Sequence, residues 1–415
     1  MTQDRPRRVL LGVGGGIAAY KVCELLRLLV ADGVEVTVVP TESALRFVGA
    51  ATWEALSGRP VRSDLWQDVH LVPHVRLAAD ADLVVIAPAT ADLLARAATG
   101  LADDLLGNVL LASRGPRLFV PAMHTQMWEH PATAQNVATL RARGDVVIDP
   151  AVGRLTGPDT GVGRLPEPEA IFDSVLALLD RPGLADLAGC QVLVSAGGTR
   201  EPIDPVRFLG NRSSGRQGYA LAAAAAVRGA EVTVVAANVA LPDPAGSRVV
   251  RVESTEELRT AVLDAAPRAD VVIMAAAVAD FRAAEIATEK IKKTDADPPP
   301  LRLTRTPDVL AELAARRRPG QLLVGFAAET TDPLAGGRAK LAAKGVDVLV
   351  INEVGPNRGF DVPTNAASIL VADSPDIVDV PLAPKVVVAN RILDVVAGLL
   401  PGARQARPSS VSPGG

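Results

Sequence analysis

Two glycine-rich loops constrain what this chain can fold into. Gly12-Val13-Gly14-Gly15-Gly16-Ile17-Ala18-Ala19-Tyr20-Lys21 closes an apolar run that begins at Val9. The stretch Ser195 to Gly218 follows Val192-Leu193-Val194 and precedes an alanine-rich run, Tyr219 to Val227. Strand, glycine turn and helix in that order open a parallel β-α-β unit. Glycines let the backbone approach a ligand, and N–H groups at a helix start favour anions. Each half therefore reads as an open sheet with a phosphate cradle at the carboxyl ends of its strands.

The remaining apolar runs fit that reading. Strands are predicted at 9–13, 35–39, 83–87, 118–120 and 146–148, and again at 191–195, 231–236, 248–252, 270–275, 321–326 and 346–351. Helices are predicted over 17–31, 171–179 and 219–227. The fold class is α/β, two tandem Rossmann-like doubly wound domains. Asp180-Arg181-Pro182-Gly183 stops the last helix of the first half and puts the boundary within 181–189, giving domains 1–185 and 186–400. The final stretch, 401–415, has little that could form a core and is predicted to be a disordered tail.

With 415 residues, 48% of them hydrophobic, the chain can bury two or three cores, and a net charge of −4 gives no basic footprint for nucleic acid. Small molecules are the expected partners. Arg5 to Arg8 before Val9-Leu10-Leu11 mimics a secretory signal, but Gly12 to Gly16 interrupts it, and no run reaches the roughly 18 apolar residues of a membrane span. A cytoplasmic protein is expected, with Cys23 and Cys190 as buried, reduced thiols.

Some residues bring chemistry with them. Gly14, Gly16 and Ala19 satisfy the permissive dinucleotide fingerprint, but where an NAD site wants an acid after the second strand the chain has Thr41, then Glu42 and Ser43. Hydroxyls there suit a mononucleotide phosphate better than a ribose diol, while Glu42 keeps an NAD-dependent oxidoreductase as an alternative. His70 and His74 are spaced like a helical metal pair, but Pro73 would break that helix, and no other ligand type has suitable spacing. Zinc is discounted. In the second half Arg200, Arg207 and Arg212 surround Asn211, a neutral donor and acceptor suited to gripping a carboxylate or carbonyl intermediate. A helix cap is its alternative role. Met274 to Phe281 joins a buried strand to one carboxylate, Asp280, which suits a base pocket beside a cation or ribose, or equally a core strand ending in a cap.

In order, these segments resemble two known families. Gly197-Gly198-Thr199-Arg200-Glu201-Pro202-Ile203-Asp204-Pro205-Val206-Arg207-Phe208, Gly210-Asn211-Arg212-Ser213-Ser214-Gly215, Ala275-Ala276-Ala277-Val278-Ala279-Asp280, Glu289-Lys290-Ile291-Lys292-Lys293 and Val324-Gly325-Phe326-Ala327-Ala328-Glu329-Thr330 resemble the phosphopantothenate-cysteine ligase family. The first half resembles the flavodoxin-like, FMN-dependent phosphopantothenoylcysteine decarboxylases. Together, over nearly the whole chain, the resemblance is to the bifunctional enzyme of coenzyme A synthesis. It implies that phosphopantothenate is activated by CTP and Mg²⁺ as an acyl cytidylate and joined to cysteine. The product then loses carbon dioxide on FMN, giving phosphopantetheine.

The same resemblance implies roles for residues. FMN would be held by Gly15, Gly16, Ile17, Thr41, Ser43, Phe47, Ala89 and Thr90, although Thr90 also reads as an ordinary helix cap. His74 would be catalytic, its alternative being an exposed bystander. Pro121-Ala122-Met123-His124-Thr125-Gln126-Met127-Trp128 resembles the motif whose asparagine binds the substrate carboxylate; His124 replaces that asparagine and can still donate a hydrogen bond. CTP would meet Ser213, Ser214, Gly215, Met274, Ala275, Ala276, Asp280, Lys290, Thr306, Pro307, Asp308, Val309, Phe326, Lys340 and Lys344, with Asp280 the metal candidate and Lys290 stabilising the transition state. Thr306 stands where the family has asparagine. Pro307 is read near the first turn of a helix, Phe326 as closing its strand, and Lys340 and Lys344 as facing one anion. Asn211 would hold the acyl cytidylate, and Arg207 or Arg212 the substrate phosphate. The family's flap cysteine, a proton donor, is missing from Leu155 to Leu165, leaving Thr156, Asp159, Thr160 or water. Family flavin sites lie between subunits of a trimer and ligase halves pair, implying a homo-oligomer, a dodecamer. Some flavoprotein relatives are regulatory proteins that sequester a phosphatase. Those need no ligase half, so Asn211, Lys290 and Lys344 favour an enzyme.

Overall fold

The computed structural model describes residues 5–66, 70, 72–155, 159–183, 185–292, 300–329, 333–353 and 362–400. Thr156, Lys293, Thr330 and the tail expected at 401–415 lie outside them. Two compact units form. One comprises residues to Ala185 with Ala226–Gly229 and Pro242–Gly246; the other comprises Asp186–Ala225, Ala230–Leu241 and Ser247 onward.

The first unit is built on strands β1 (Arg8–Val13), β2 (Glu35–Pro40), β3 (Leu83–Ala89), β4 (Arg117–Pro121) and β5 (Val146–Val147). They pair in parallel in the order β2-β1-β3-β4-β5, which is the flavodoxin order. All seven residues of β3 are buried, as expected of a strand covered by helices on both faces. The helix Ala19–Ala31 turns Ala19, Val22, Leu25, Leu26 and Leu29 inward, the three-four spacing of one apolar stripe. On the other face Leu10, Ile86, Leu94, Leu106, Val109 and Phe119 meet in one core, where each large side chain contributes roughly 1.5–3 kcal/mol by leaving water. A hairpin, β6 (Ala151–Arg154) with β7 (Thr160–Arg164), follows and was not expected.

The second unit carries β8 (Gln191–Gly197), the short pair β9 (Arg200–Pro202) and β10 (Phe208–Gly210), β11 (Glu231–Ala237), β12 (Ser247–Val252), β13 (Val271–Met274), the short pair β14 (Phe281–Ala283) and β15 (Leu303–Arg305), β16 (Leu322–Glu329), β17 (Val348–Glu353), β18 (Thr364–Val371) and β19 (Ile377–Pro384). The main sheet runs β12-β11-β8-β13-β16-β17-β18-β19. Its first six strands are parallel and reproduce the Rossmann order 3-2-1-4-5-6. The antiparallel extension through β18 and β19 was not anticipated.

Candidate functional site

In the first sheet the strand order reverses between β1 and β3, the position at which open α/β sheets bind ligands. A cavity of about 1270 Å³ opens there. Gly15, Gly16 and Ile17 line it from the loop after β1, Thr41 and Ser43 from the loop after β2, Thr90 from the loop after β3, and Met123 and His124 from the loop after β4. The first two loops are pressed together: a Cβ on Gly15 would lie 2.3 Å from Ser43 Cβ. Thr41 Oγ1 accepts the Ala44 N–H at 3.2 Å and Thr90 Oγ1 that of Leu93 at 3.3 Å, capping two helices. Thr90 is thus a cap and a wall residue at once, because its hydroxyl proton remains to donate.

The β6–β7 hairpin completes the wall with Arg154, Gly163 and Arg164. It lies directly on the loop that carries His124. Met123 N–H donates to Gly163 O at 2.9 Å. Gly163 has φ +146 and a Cβ there would meet Met123 O at 2.1 Å, while one on Gly161 would meet Thr125 Oγ1 at 2.3 Å. Lys21 reaches Glu167 at 3.4 Å, and Arg164 pairs with the same carboxylate. Lys21 ends the first glycine loop, whereas Arg154 and Arg164 were not singled out in the sequence; cations scattered through a hairpin carry no local signature.

Not every residue expected in this site is brought to it. His74 occupies the first turn of the helix Pro73–Asp80, half-buried and away from the cavity wall. Pro73 starts that helix instead of breaking it, since at the first position its missing N–H is no loss. His70 precedes the helix, so the apparent one-turn spacing does not place the two rings on one face. Phe47 is 49% exposed and Ala89 is buried within β3; neither lines the cavity. Asp159 and Thr160 are exposed on the hairpin, also off the wall. The described residues contain no group of three or more His, Cys, Asp or Glu placed to hold a metal.

In the second sheet the order reverses between β8 and β13, and the loops leaving them are bonded into one body. Thr199 N–H donates to Ala277 O at 3.2 Å and Ala277 N–H to Gly197 O at 2.8 Å. Ala276 N–H reaches Ser195 Oγ at 3.1 Å, and Ala279 N–H reaches Thr199 Oγ1 at 2.9 Å. Asn211 Nδ2 donates to Val278 O at 3.0 Å. Its side chain therefore ties the two loops together and does not cap the helix Arg216–Val227. Gly197 can be nothing larger, having φ +86 and a Cβ position 1.9 Å from Ala237 O. Met274 is buried at the end of β13, Ala275 and Ala276 are half-buried, Ser213 and Ser214 half-buried, and Gly215 has φ +81. Asp280, Lys290 and Arg212 are exposed.

Asp204, which the motif contains but to which no role was given, organises this edge. It is 3% exposed and accepts the N–H groups of Val206 at 2.8 Å, Arg207 at 2.7 Å and Ile291 at 3.2 Å. Burial opposes its ionisation, but those three donors and the nearby Arg207 guanidinium outweigh it, holding the carboxyl below the ordinary range. Arg207 also donates to Ile291 O at 3.1 Å. Its guanidinium is thus engaged with the backbone beside Lys290.

Three further expectations change. The helix expected at Thr306 begins at Val309 with Asp308 as its cap, so Pro307 precedes the cap and is not in the first turn. Thr306 instead ties back to the Asp280 loop, its N–H reaching Asp280 O at 3.1 Å and its hydroxyl donating to Ala279 O. Phe326 is half-buried within β16, which continues to Glu329 instead of ending there. Lys344, at the end of the helix Pro333–Lys344 that also carries Lys340, pairs with Asp308. Burial pushes the Asp308 carboxyl up, but the Lys344 ammonium and capped N–H groups prevail and hold it low.

Fold and loops together define a two-part α/β protein with a cavity at the switch point of one part and hydrogen-bonded loops at that of the other. Residues 1–180 match the family model described as Flavoprotein, and residues 187–400 the DNA/pantothenate metabolism flavoprotein C-terminal domain. The coenzyme A biosynthesis bifunctional protein CoaBC of Mycobacterium bovis is 56% identical over 96% of this chain and 98% of its own, and that of Bacillus subtilis 42% identical over 95% and 97%. A crystal structure of the C-terminal domain of a protein of that name covers 51% of this chain and 96% of its own at 36% identity and TM-score 0.44. The chain belongs to the family of coenzyme A biosynthesis bifunctional proteins, enzymes with a phosphopantothenoylcysteine decarboxylase half and a phosphopantothenate-cysteine ligase half. The regulatory and NAD-dependent alternatives are not favoured by relatives that match through both halves. No helix among the described residues is long and apolar enough to cross a membrane.

Proposed function

We propose that the ligase half uses CTP and Mg²⁺ to activate phosphopantothenate, and that Asn211 holds the acyl cytidylate until cysteine displaces CMP. The observation that carries this reading is the Asn211 Nδ2 bond to Val278 O, which fixes one neutral carboxamide across the two switch-point loops. Its side-chain oxygen and second N–H would then remain for the acyl group. A neutral amide can bind the acyl carbonyl without repelling either partner. The half-buried alanines after β13 and the Ser213-Ser214-Gly215 turn form the cradle for base and phosphates. Mg²⁺ commonly takes one or two carboxylates and completes its shell with phosphates and water, so the exposed Asp280 suits it without further protein ligands. Lys290 lies next to Ile291, whose backbone is clamped by Asp204 and Arg207; with its backbone so held, that lysine would serve the charge developing on the phosphate. Arg212 then meets the phosphate of phosphopantothenate.

In the decarboxylase half, Gly15, Gly16, Ile17, Thr41, Ser43 and Thr90 would hold FMN. The fit rests on the Gly15–Ser43 approach, which presses the loops after β1 and β2 together so that the backbone of one and the hydroxyls of the other line the same cavity. Bound there, the flavin supplies reversible acceptance of a hydride. His124 grips the substrate carboxylate, and the β6–β7 hairpin keeps water from it. His74 and Phe47, away from this cavity, would serve the cavity of a neighbouring copy in a trimer, with ligase halves pairing the trimers into a dodecamer. The cytoplasm is the compartment this chemistry suits, with Cys23 and Cys190 as free thiols.

The test is CMP release. It should require phosphopantothenate, CTP, Mg²⁺ and cysteine together, and pyrophosphate should form before cysteine is added. CMP release that ignores cysteine would overturn the acyl-cytidylate reading.

A further inference from the structure

We propose that His124 is the proton donor of the decarboxylase half, protonating the carbon from which carbon dioxide has departed. This rests on the decarboxylase reading above and adds the identity of the acid.

The chemistry dictates where a proton is needed. Oxidation of the cysteinyl thiol to a thioaldehyde lets the adjacent carbon lose its carboxylate, and the electron pair of the broken C–C bond ends in an enethiolate. Product then requires a proton on the carbon that lost the carboxylate and a hydride on the carbon bearing sulfur. In the proton step the enethiolate π pair forms a C–H bond while an imidazolium N–H bond breaks, giving a thioaldehyde and neutral imidazole. The thioaldehyde carbon then takes back the hydride removed in the first oxidation, restoring the thiolate. No outside reductant is consumed, and the imidazole regains its proton from water. A side chain that holds the carboxylate before cleavage therefore stands beside the carbon that needs a proton afterwards. Asparagine could do only the first task, whereas imidazole can do both.

Position and competition point the same way. His124 is on the cavity wall, and although it is the cap residue of the helix Thr125–Trp128, its ring makes no cap bond. Its backbone is held from both sides by the hairpin, through Met123 N–H to Gly163 O and the close approach of Gly161 to Thr125. That hairpin contains no cysteine. Its described acid and hydroxyl, Asp159 and Thr160, are exposed and off the wall. The loop that carries His124 is thus held under the hairpin with the imidazole on the cavity wall, while the hairpin's own described acid and hydroxyl lie off it.

The experiment uses the full chain with its flavin and compares wild type with His124→Asn, which keeps a carboxylate-binding amide and removes the acid. Phosphopantothenoylcysteine is supplied in deuterated water, and products are read by mass, by the configuration of the deuterated carbon and by visible flavin absorbance. Wild type should give phosphopantetheine deuterated on one face. His124→Asn should still release carbon dioxide, but accumulate an enethiol two hydrogens lighter with the flavin left reduced. Formation of the reduced product should fall by about 100-fold or more, the scale of a general acid, and added imidazole should restore it without restoring the single configuration. With nitrogen-15 labelled histidine, the His124 ring signal of the flavin-free chain should shift when pantothenoylcysteine is added. Phosphopantetheine of wild-type yield and configuration from His124→Asn would overturn the assignment of His124 alone. So would loss of substrate binding and carbon dioxide release together with no imidazole rescue, which would leave the residue a carboxylate ligand only. Wild type that releases no carbon dioxide would overturn the decarboxylase reading itself.

Discussion

Gly15→Ala isolates the claim that the first glycine loop is a flavin cradle. A Cβ at this position would sit 2.3 Å from Ser43 Cβ and 3.0 Å from Ser43 C. The first of these is more than an ångström inside the roughly 3.5–4.0 Å at which carbon atoms rest. Ser43 Cβ is too close to its own backbone to swing aside, so one loop must move. Overpacking of this kind costs about 1–3 kcal/mol. If the cost falls wholly on the arrangement that binds FMN, the dissociation constant should rise by about 5- to 150-fold, read by quenching of flavin fluorescence. Gly16→Ala is the control. Its nearest atoms would be Thr90 Cγ2 at 3.7 Å and Pro88 Cγ at 3.9 Å, so the flavin-free protein should melt as wild type does. Flavin-free Gly15→Ala should melt lower by roughly 2–4 °C for each kcal/mol. Wild-type FMN affinity and melting temperature in Gly15→Ala would refute the cradle.

Further expectations follow from the ligase half. Asn211→Asp places a negative charge against the acyl cytidylate, so pyrophosphate release should persist while CMP release slows by about 100-fold; equal slowing of both would contradict the role given to Asn211. Asp204→Asn should loosen the backbone at Ile291 and slow the first step without changing flavin content, measured as pyrophosphate formation. Because the Asp204 carboxyl is held below its ordinary value of 3.8, the clamp is at full strength above that pH and is lost as pH falls through the lowered value. Acid protection of the Ile291 amide in hydrogen exchange should therefore fail only below about pH 4. Lys344→Ala should release Asp308 and raise the KM for CTP by about tenfold if the Lys344–Asp308 pair shapes the pocket; an unchanged KM would make the pair a surface contact.

The sheets were readable because buried parallel strands are nearly continuous apolar runs, and Leu83 to Ala87 or Val192 to Val194 cannot be much else. The two switch points were readable for the same reason, since each glycine loop directly follows such a run. β18 was missed because one of its buried residues is an asparagine, Asn365, and the small or polar residues Thr364, Ala366, Ala367 and Ser368 leave no continuous apolar run before Ile369 and Leu370. The β6–β7 hairpin was missed because its glycines, Gly153, Gly161 and Gly163, read as a flexible flap, whereas two of them are there to let backbone approach the His124 loop. Within the sites, local loop residues such as Gly15, Thr41 and Asn211 fell where their sequence neighbours put them. Asp204, Lys344 and Thr306 act through partners distant in the chain, Ile291, Asp308 and Asp280, and no local spacing encodes such contacts.

The central claim is that one chain both joins and decarboxylates, and mass analysis of a single reaction tests it most directly. Purified protein given phosphopantothenate, cysteine, CTP and Mg²⁺ under reducing conditions should yield phosphopantetheine, with CMP, pyrophosphate and carbon dioxide in equal amounts. A colourless preparation that leaves CTP intact and forms neither phosphopantothenoylcysteine nor phosphopantetheine would contradict the account.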